Sequence, residues 1–216
     1  MQKKNKMKII ALIALAIPVT AGTSLAHAAG LFSSEESVSL KGTVERFLLN
    51  PEGIVDGFLL SDGTQVNVPP HLADALTTTV AKGDAISLKG IRHSKTLVKA
   101  DVITNDKSQA VVKDEGPTKG GPKGGPKGGP KGPKASPRDN PSMTEMTAAG
   151  KVQRLLTGPR GEINGAILAD ETIVRIPPHL AEKQKLEVGK ELTASGFGTQ
   201  NNFGRVVQVT KLNGAE

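Results

Sequence analysis

The feature that most constrains the fold of this chain is an internal duplication. Sliding the sequence by 108 residues superposes residues 42–73 on residues 150–181, with 16 identities in 32 positions. Both copies end in the same five letters, PPHLA. A segment repeated in this way predicts two small domains of one fold, one in each half of the chain.

Each copy has the pattern of a small β-rich domain. Alternating or apolar runs bounded by Pro, Asn, Asp and Gly predict strands joined by tight turns. PPHLADALTTTVA spaces two leucines four apart after a pair of prolines, which predicts a short helix. The first copy therefore reads as three strands, a helix and two strands, over VSLKGTVERFLL, IVDGFLLSDG, TQVNV, PPHLADALTTTVA, DAISLKGI and TLVKADVIT.

This order of elements resembles the OB-fold, a five-stranded Greek-key barrel with a helix between its third and fourth strands. The glycine within each first strand, Gly42 or Gly150, lies where that strand would bend to serve both sides of the barrel. An SH3-like barrel has a similar strand count but would not place a helix after the third strand. The unit is similar to the small exported OB-fold domains of bacteria, including the periplasmic stress-associated kind, here as a tandem pair. We therefore expect a mostly β protein with two five-stranded barrels, each carrying one short helix.

The predicted domains are residues 36–107 and 148–214, with a linker at 108–147. The linker contains GPTKGGPKGGPKGGPKGPKASPRDNP, where Gly, Pro and Lys exclude almost every residue that could be buried. Such a composition predicts a disordered, extended tether. It would let two modules bind one polymer together, and its lysines could also contact anionic polymers.

The first 28 residues read as a secretory signal peptide. Four lysines precede an apolar run, which is broken by Pro18, and the segment ends in small residues at Ala26 and Ala28. We expect cleavage after Ala28, export to the periplasm or the extracellular space, and no transmembrane segment in the mature chain. The chain contains no cysteine, so disulfides and thiolate ligands play no part.

Composition also bears on what the protein binds. The formal net charge is +7, but the signal segment carries +4 of it, and +3 does not mark a dedicated nucleic-acid binder. The chain has no Trp, no Tyr and five Phe, and only Phe203 is placed as a platform on which a base could stack. Nucleic acid is therefore predicted to be a poor partner. No nucleophile elbow, phosphate loop or metalloprotease motif occurs, so we predict a protein that is not an enzyme and needs no cofactor.

OB-folds usually bind ligands across strands two and three and between two flanking loops. The residues at these places in the second barrel favour an anionic ligand, and the first barrel offers fewer cations. The candidate binding residues are Arg160, Arg175, Asn201, Asn202, Phe203 and Arg205, with Arg92 and Lys95 in the first barrel.

The repeated histidines give a second, weaker candidate site. His71 has Asp74 three residues later, and His179 has Glu182 at the same spacing, so each pair could hold a metal on one helix face. Alternatively, each histidine packs or caps at the start of its helix, and it recurs only because the whole unit recurs.

Two matched arginines, Arg46 and Arg154, lie in phase with the barrel-facing side of the first strand. An unpaired arginine inside a barrel is costly. Either a β-bulge turns the side chain outward, or a carboxylate such as Asp62 or Asp170 pairs with it. Binding of an anion is the functional alternative for these residues.

The sequence thus leads to a non-enzymatic, exported tandem OB-fold protein that recognises an anionic or polymeric component of the cell envelope. Three alternatives remain open: a periplasmic metal-binding or metal-stress protein, a single-stranded nucleic-acid-binding protein, and a scaffold that recruits a protein partner by strand addition. The pattern does not decide the oligomeric state.

Overall fold

The computed structural model describes residues 36–116 and 143–214. The first half contains six strands and a helix preceded by a 3-10 turn: β1 (Glu36–Leu49), β2 (Val55–Leu60), β3 (Gln65–Asn67), the turn (Pro70–Leu72), α1 (Ala73–Thr79), β4 (Ala85–Arg92), β5 (Leu97–Asn105) and β6 (Val111–Lys113). The second half contains five strands and one helix: β7 (Thr144–Thr157), β8 (Ile163–Leu168), β9 (Ile173–Arg175), α2 (Pro178–Gln184), β10 (Glu191–Asn201) and β11 (Gly204–Gly214).

Each half closes into a five-stranded barrel. In the first, β1 lies between β2 and β4, and parallel pairing of β3 with β5 closes the ring. In the second, β7 lies between β8 and β10, and β9 pairs in parallel with β11. The helix follows the third strand in both halves. This is the OB-fold topology, and the predicted mostly β class with two barrels is confirmed.

The long first strand serves two neighbours in turn. Residues up to Thr43 pair with β4, and residues from Val44 onward pair with β2. Gly42 lies just before this change, and a Cβ there would meet the Leu60 side chain at 2.9 Å. The predicted bend at Gly42 is therefore where the strand changes partners.

A β-bulge follows that change in both barrels. The register shifts between Val44 and Arg46 in β1, and between Val152 and Arg154 in β7. The bulge turns each arginine away from the barrel interior. Of the two alternatives raised for Arg46 and Arg154, the bulge is confirmed.

The helix of the first barrel seals the barrel interior. Leu76 on α1 is fully buried, and the helix ends at Thr79; the amide of the next residue, Val80, donates to the Leu76 carbonyl. Among the described residues, no helix is long and apolar enough to span a membrane.

The strands extend into the segment predicted as linker. Strand β6 pairs with β5, and its residue Val112, which is only 3% exposed, adds to the core of the first barrel. At the other end of the predicted linker, β7 begins at Thr144. The two adjacent β-branched residues, Val111 and Val112, are the sequence signal for the extra strand β6. The lysine-rich part of the predicted linker, residues 117–142, lies outside the described residues, as does the predicted signal peptide.

The two barrels pack directly on one another rather than standing apart. The apolar core of the first barrel continues into Leu156, Ile167, Ile173 and Val206 of the second. Strand β2 is buried on both of its faces. One face points into its own barrel, and the other face is covered by the neighbouring barrel. The sequence predicted two modules joined only by a tether, and this prediction did not include the contact between the barrels.

Candidate functional site

The barrels are joined by a bidentate ion pair between Arg175 of β9 and Asp56 of β2. The Arg175 Nη2 atom lies 2.7 and 2.8 Å from the two carboxylate oxygens of Asp56, and Arg175 Nε donates to the Leu49 carbonyl at 2.9 Å. Burial raises the pKa of Asp56 above its ordinary value, and the nearby Arg175 opposes that shift. The side chain of Arg175 is 14% exposed, so this predicted ligand-binding arginine is engaged between the barrels.

Amide and loop contacts complete this interface between the barrels, the joint, in which Gly53, Asp56 and Gln65 of the first barrel contact Thr157, Arg175 and Asn201 of the second. The Gln65 side chain donates to the Thr157 carbonyl and accepts from the Thr157 amide, both at 3.1 Å. Asn201 donates through Nδ2 to the Gly53 carbonyl at 2.7 Å. Strands two and three and the first loop, where OB-folds usually take ligands, are therefore used here in the contact between barrels.

Beside this joint lies an open cleft of about 630 Å³ bounded by both barrels. The end of α1 and the following turn form one wall, and the β8–β9 turn with the β10–β11 hairpin forms the other. Its polar and aromatic lining consists of Arg46, Phe47, Thr77, Lys82, Asp170, Glu171, Thr172, Gln200, Asn201, Asn202, Phe203 and Arg205.

Arg46 is the most constrained cation in the cleft. Its Nη2 atom donates to the Glu171 carbonyl at 2.7 Å, whereas its Nε atom is buried and finds no hydrogen-bond partner among the described residues. Burial lowers the pKa of Arg46, while Glu171 and Glu45 oppose that shift. A guanidinium always stays protonated in proteins, so Arg46 presents a charged donor that no described group satisfies.

An aromatic pair forms the second feature of the cleft. The rings of Phe203 and Phe47 meet edge to face, with centroids 5.5 Å apart and planes at 83°. Phe47 is buried, but Phe203 is 41% exposed. Phe203 is thus partly exposed in the cleft and packs edge to face against the buried Phe47, and its role as a platform for a ligand stays a prediction.

The remaining charges of the cleft come mainly from the second barrel. Arg205 donates to the Thr147 carbonyl at 2.6 Å, and its Nη1 atom lies 3.9 Å from the Asp170 carboxylate. Lys82 is exposed on the opposite wall. Three cations therefore face two carboxylates, those of Asp170 and Glu171.

Glu171 stands out because its backbone has φ 67°, in the left-handed region that favours glycine. The matching residue of the first barrel is Gly63, at φ 90°. Sequence reasoning missed Glu171 and Lys82 as cleft residues. The replacement of Gly by Glu at one turn of the repeat was the available signal for Glu171, whereas nothing in the pattern distinguished Lys82 from other surface lysines.

The other predicted ligand-binding residues scatter. Arg160 is exposed and lies 3.9 Å from Glu162 on the β7–β8 loop, and Asn202 is exposed at the cleft rim. In the first barrel, Arg92 donates to the Lys95 carbonyl at 3.2 Å, in the β4–β5 loop. Of the eight residues proposed from sequence, the structure brings Asn201, Asn202, Phe203 and Arg205 to the cleft.

The metal-binding role predicted for His71 with Asp74, and for His179 with Glu182, stays a prediction. His71 lies 3.5 Å from Asp114, which also approaches Lys99, rather than pairing with Asp74. In the described segments, no three His, Asp or Glu side chains converge as a metal site would require. The capping alternative is not seen either, since neither helix start described here has a side-chain cap, and His71 and His179 are exposed.

No family model and no curated protein matches this chain. Among solved structures, a deletion variant and the wild-type form of the single-stranded DNA-binding protein from Thermus aquaticus are similar, at 16% and 15% identity. Both comparisons have a TM-score of 0.26 and cover 83% of this chain, with 94% and 92% of the respective neighbour.

These neighbours correct one prediction. Nucleic acid was predicted to be a poor partner, whereas both of these neighbours are single-stranded DNA-binding proteins. The prediction relied on the scarcity of aromatic residues along the sequence.

Proposed function

We propose that this protein is a non-enzymatic binding protein that holds an anionic polymer in the cleft between its two OB barrels. The observation that carries the proposal is that three cations, Arg46, Lys82 and Arg205, line one open cleft. Anionic oxygens of a ligand in the cleft could accept charge-assisted hydrogen bonds from these side chains, and such bonds are strong.

The form of the cleft suits an extended ligand. It is open, its walls come from different barrels, and no acid–base pair or nucleophile was recognised in the sequence. Two carboxylates partly offset the three cations, so we expect modest affinity that depends on salt.

The exposed ring of Phe203 favours a ligand that carries flat groups as well as anions. Single-stranded nucleic acid has both, since bases stack on aromatic side chains while phosphates meet cations. An anionic envelope polymer such as a teichoic acid would use the cations but not the ring. We therefore place single-stranded nucleic acid first and the envelope polymer second.

The test is a titration of fluorescently labelled oligothymidine and of teichoic acid with the full mature chain. The double variant Lys82→Ala/Arg205→Ala removes two cations from the cleft. For oligothymidine it should weaken binding about tenfold or more and reduce the salt slope by about 1.4, as expected for two phosphate contacts on a single strand.

Two further variants separate the alternatives. Phe203→Leu should weaken binding of oligothymidine, since stacking contributes about 1–3 kcal/mol per base, and should leave teichoic acid unaffected. Arg92→Ala/Lys95→Ala removes two cations outside the cleft and serves as the matched control. If only this control pair weakens binding, the ligand lies on the β4–β5 loop of the first barrel and the cleft assignment is wrong.

We also propose that the protein is exported. The support is the basic head, apolar run and small residues of the first 28 residues. Mass spectrometry of the protein from its native cell should find a mature chain beginning at Ala29. Recovery of the chain with residue 1 intact in the cytoplasm would contradict the proposal.

A further inference from the structure

The joint between the barrels is approximately two-fold symmetric. Matching positions of the repeat make matching contacts: the carbonyls of Leu49 and Thr157 each accept a bond from the third strand of the opposite barrel. Likewise, Arg46 binds the backbone of Glu171, while the Nη1 atom of Arg154 would lie 2.9 Å from a Cβ placed on Gly63, the match of Glu171. The surface is therefore one patch, used twice.

The strongest contact in the joint breaks this symmetry. Asp56 of the first barrel pairs with Arg175 of the second, but the residues at the mirrored positions are Asn164 and Asn67. A second ion pair is therefore missing. Consistent with this, the Oδ1 atom of Asn164 is buried and has no hydrogen-bond partner within the residues that the structure describes.

We propose that this patch is a heterotypic recognition surface, which lets a first barrel bind a second barrel and rejects a barrel of its own kind. In a pair of two first barrels, each Asp56 would face Asn67 and stay buried without a cation. In a pair of two second barrels, each Arg175 would face Asn164 without an anion. Both arrangements leave a buried charge unpaired at these positions, which is costly, whereas the mixed pair joins Asp56 to Arg175.

The partner is thus the complementary barrel, either from the same chain or from a second copy of the chain. A buried ion pair of this kind contributes little net stability, because burial of the charges offsets their attraction, but it discriminates strongly against wrong pairings. The proposal does not depend on the ligand of the cleft.

The experiment uses the full chain with a protease recognition sequence inserted between residues 125 and 126. The folded protein is cut, diluted, reconcentrated and examined by native mass spectrometry, where the three kinds of pair differ in mass. The wild-type chain should give mixed pairs, with at least about a tenfold excess over either like pair, since one mispaired buried charge already outweighs a tenfold preference. Like pairs in random proportion, or complete separation of the halves, would overturn the proposal.

Two variants test whether the ion pair selects the partner. Asn67→Arg/Asn164→Asp gives each barrel both an acid and an arginine, so like pairs should now form alongside mixed ones. Asp56→Asn/Arg175→Asn removes both charges and should also lower the preference for mixed pairs. Circular dichroism spectra are compared first to verify that each variant is folded. If both folded variants keep the wild-type preference, another feature selects the partner and the proposal fails.

Discussion

The amide of Gln65 offers the sharpest check on the joint between the barrels. Gln65 is 4% exposed, and its side chain makes both a donated and an accepted hydrogen bond with the backbone of Thr157. Gln65→Leu keeps most of the side-chain volume and removes both bonds. The Thr157 amide and carbonyl would then face an apolar side chain in a place that water reaches poorly.

The size of the effect follows from those two bonds. Each contributes about 1 kcal/mol net, and leaving a buried polar group without a partner costs about 1–3 kcal/mol. Gln65→Leu leaves two such groups, the amide and the carbonyl of Thr157, so the free energy of unfolding falls by about 2–6 kcal/mol. For an m-value of about 2 kcal/mol/M, the urea midpoint falls by about 1–3 M.

Urea unfolding followed by far-ultraviolet circular dichroism is the suitable assay, because the chain has no tryptophan or tyrosine to report by fluorescence. Gln184→Leu, at an exposed position on α2, is the matched control and should change stability by no more than about 0.5 kcal/mol. A loss no larger than the control's would refute the reasoning, since it would mean that the amide of Gln65 is not bonded to Thr157 in solution.

Three further predictions concern single positions. Because burial raises the pKa of Asp56 in the folded state, the folded chain binds more protons, so the stabilising contribution is full below pH 3.8 and is lost as pH rises through the folded value. Urea titrations at several pH values should therefore show wild type losing stability relative to Asp56→Asn as pH rises; a relative gain would mean that the arginine lowers this pKa. Glu171→Gly should stabilise the chain by about 0.5–1 kcal/mol, since glycine accepts its left-handed backbone, and should tighten anion binding by removing a carboxylate from the cleft. A drop in thermal midpoint would show that the carboxylate itself stabilises the turn. Gly165→Ala should cost about 2 kcal/mol or more, because the new Cβ would lie 2.5 Å from the Val174 carbonyl across the β8–β9 pair; an unchanged melting curve would contradict this steric argument.

The barrels were predictable from the sequence because the signals that form them are local. The alternation of the strands, the glycine that bends the first strand and the proline pair before the helix each act within a few residues. The repeat supplied every signal twice. These features settle the topology before any long-range contact is considered.

The joint was not predictable in the same way, because it depends on which faces of separate strands meet. Strand β2 is apolar on both sides, and this could have indicated a covered outer face. The pairing of Asp56 with Arg175 joins positions 119 residues apart, and no periodicity within either copy connects them. Arg175 therefore looked like a free cation on a ligand-binding face.

Differences between the copies prove more informative here than what they share. The two histidines of the repeated PPHLA segment, His71 and His179, are both exposed. Among the described residues, His71 contacts Asp114, and this single contact does not make a binding site. By contrast, Asp56, Arg175 and Glu171 each differ from the matching residue of the other copy, and each lies in the joint or the cleft. A duplicated barrel begins with two equal patches, so any surface that tells one barrel from the other must come from positions where the copies have diverged. The same reasoning applies to the cleft, where Glu171 occupies a left-handed backbone conformation that its counterpart, Gly63, adopts without strain, so the two matching turns carry different charges.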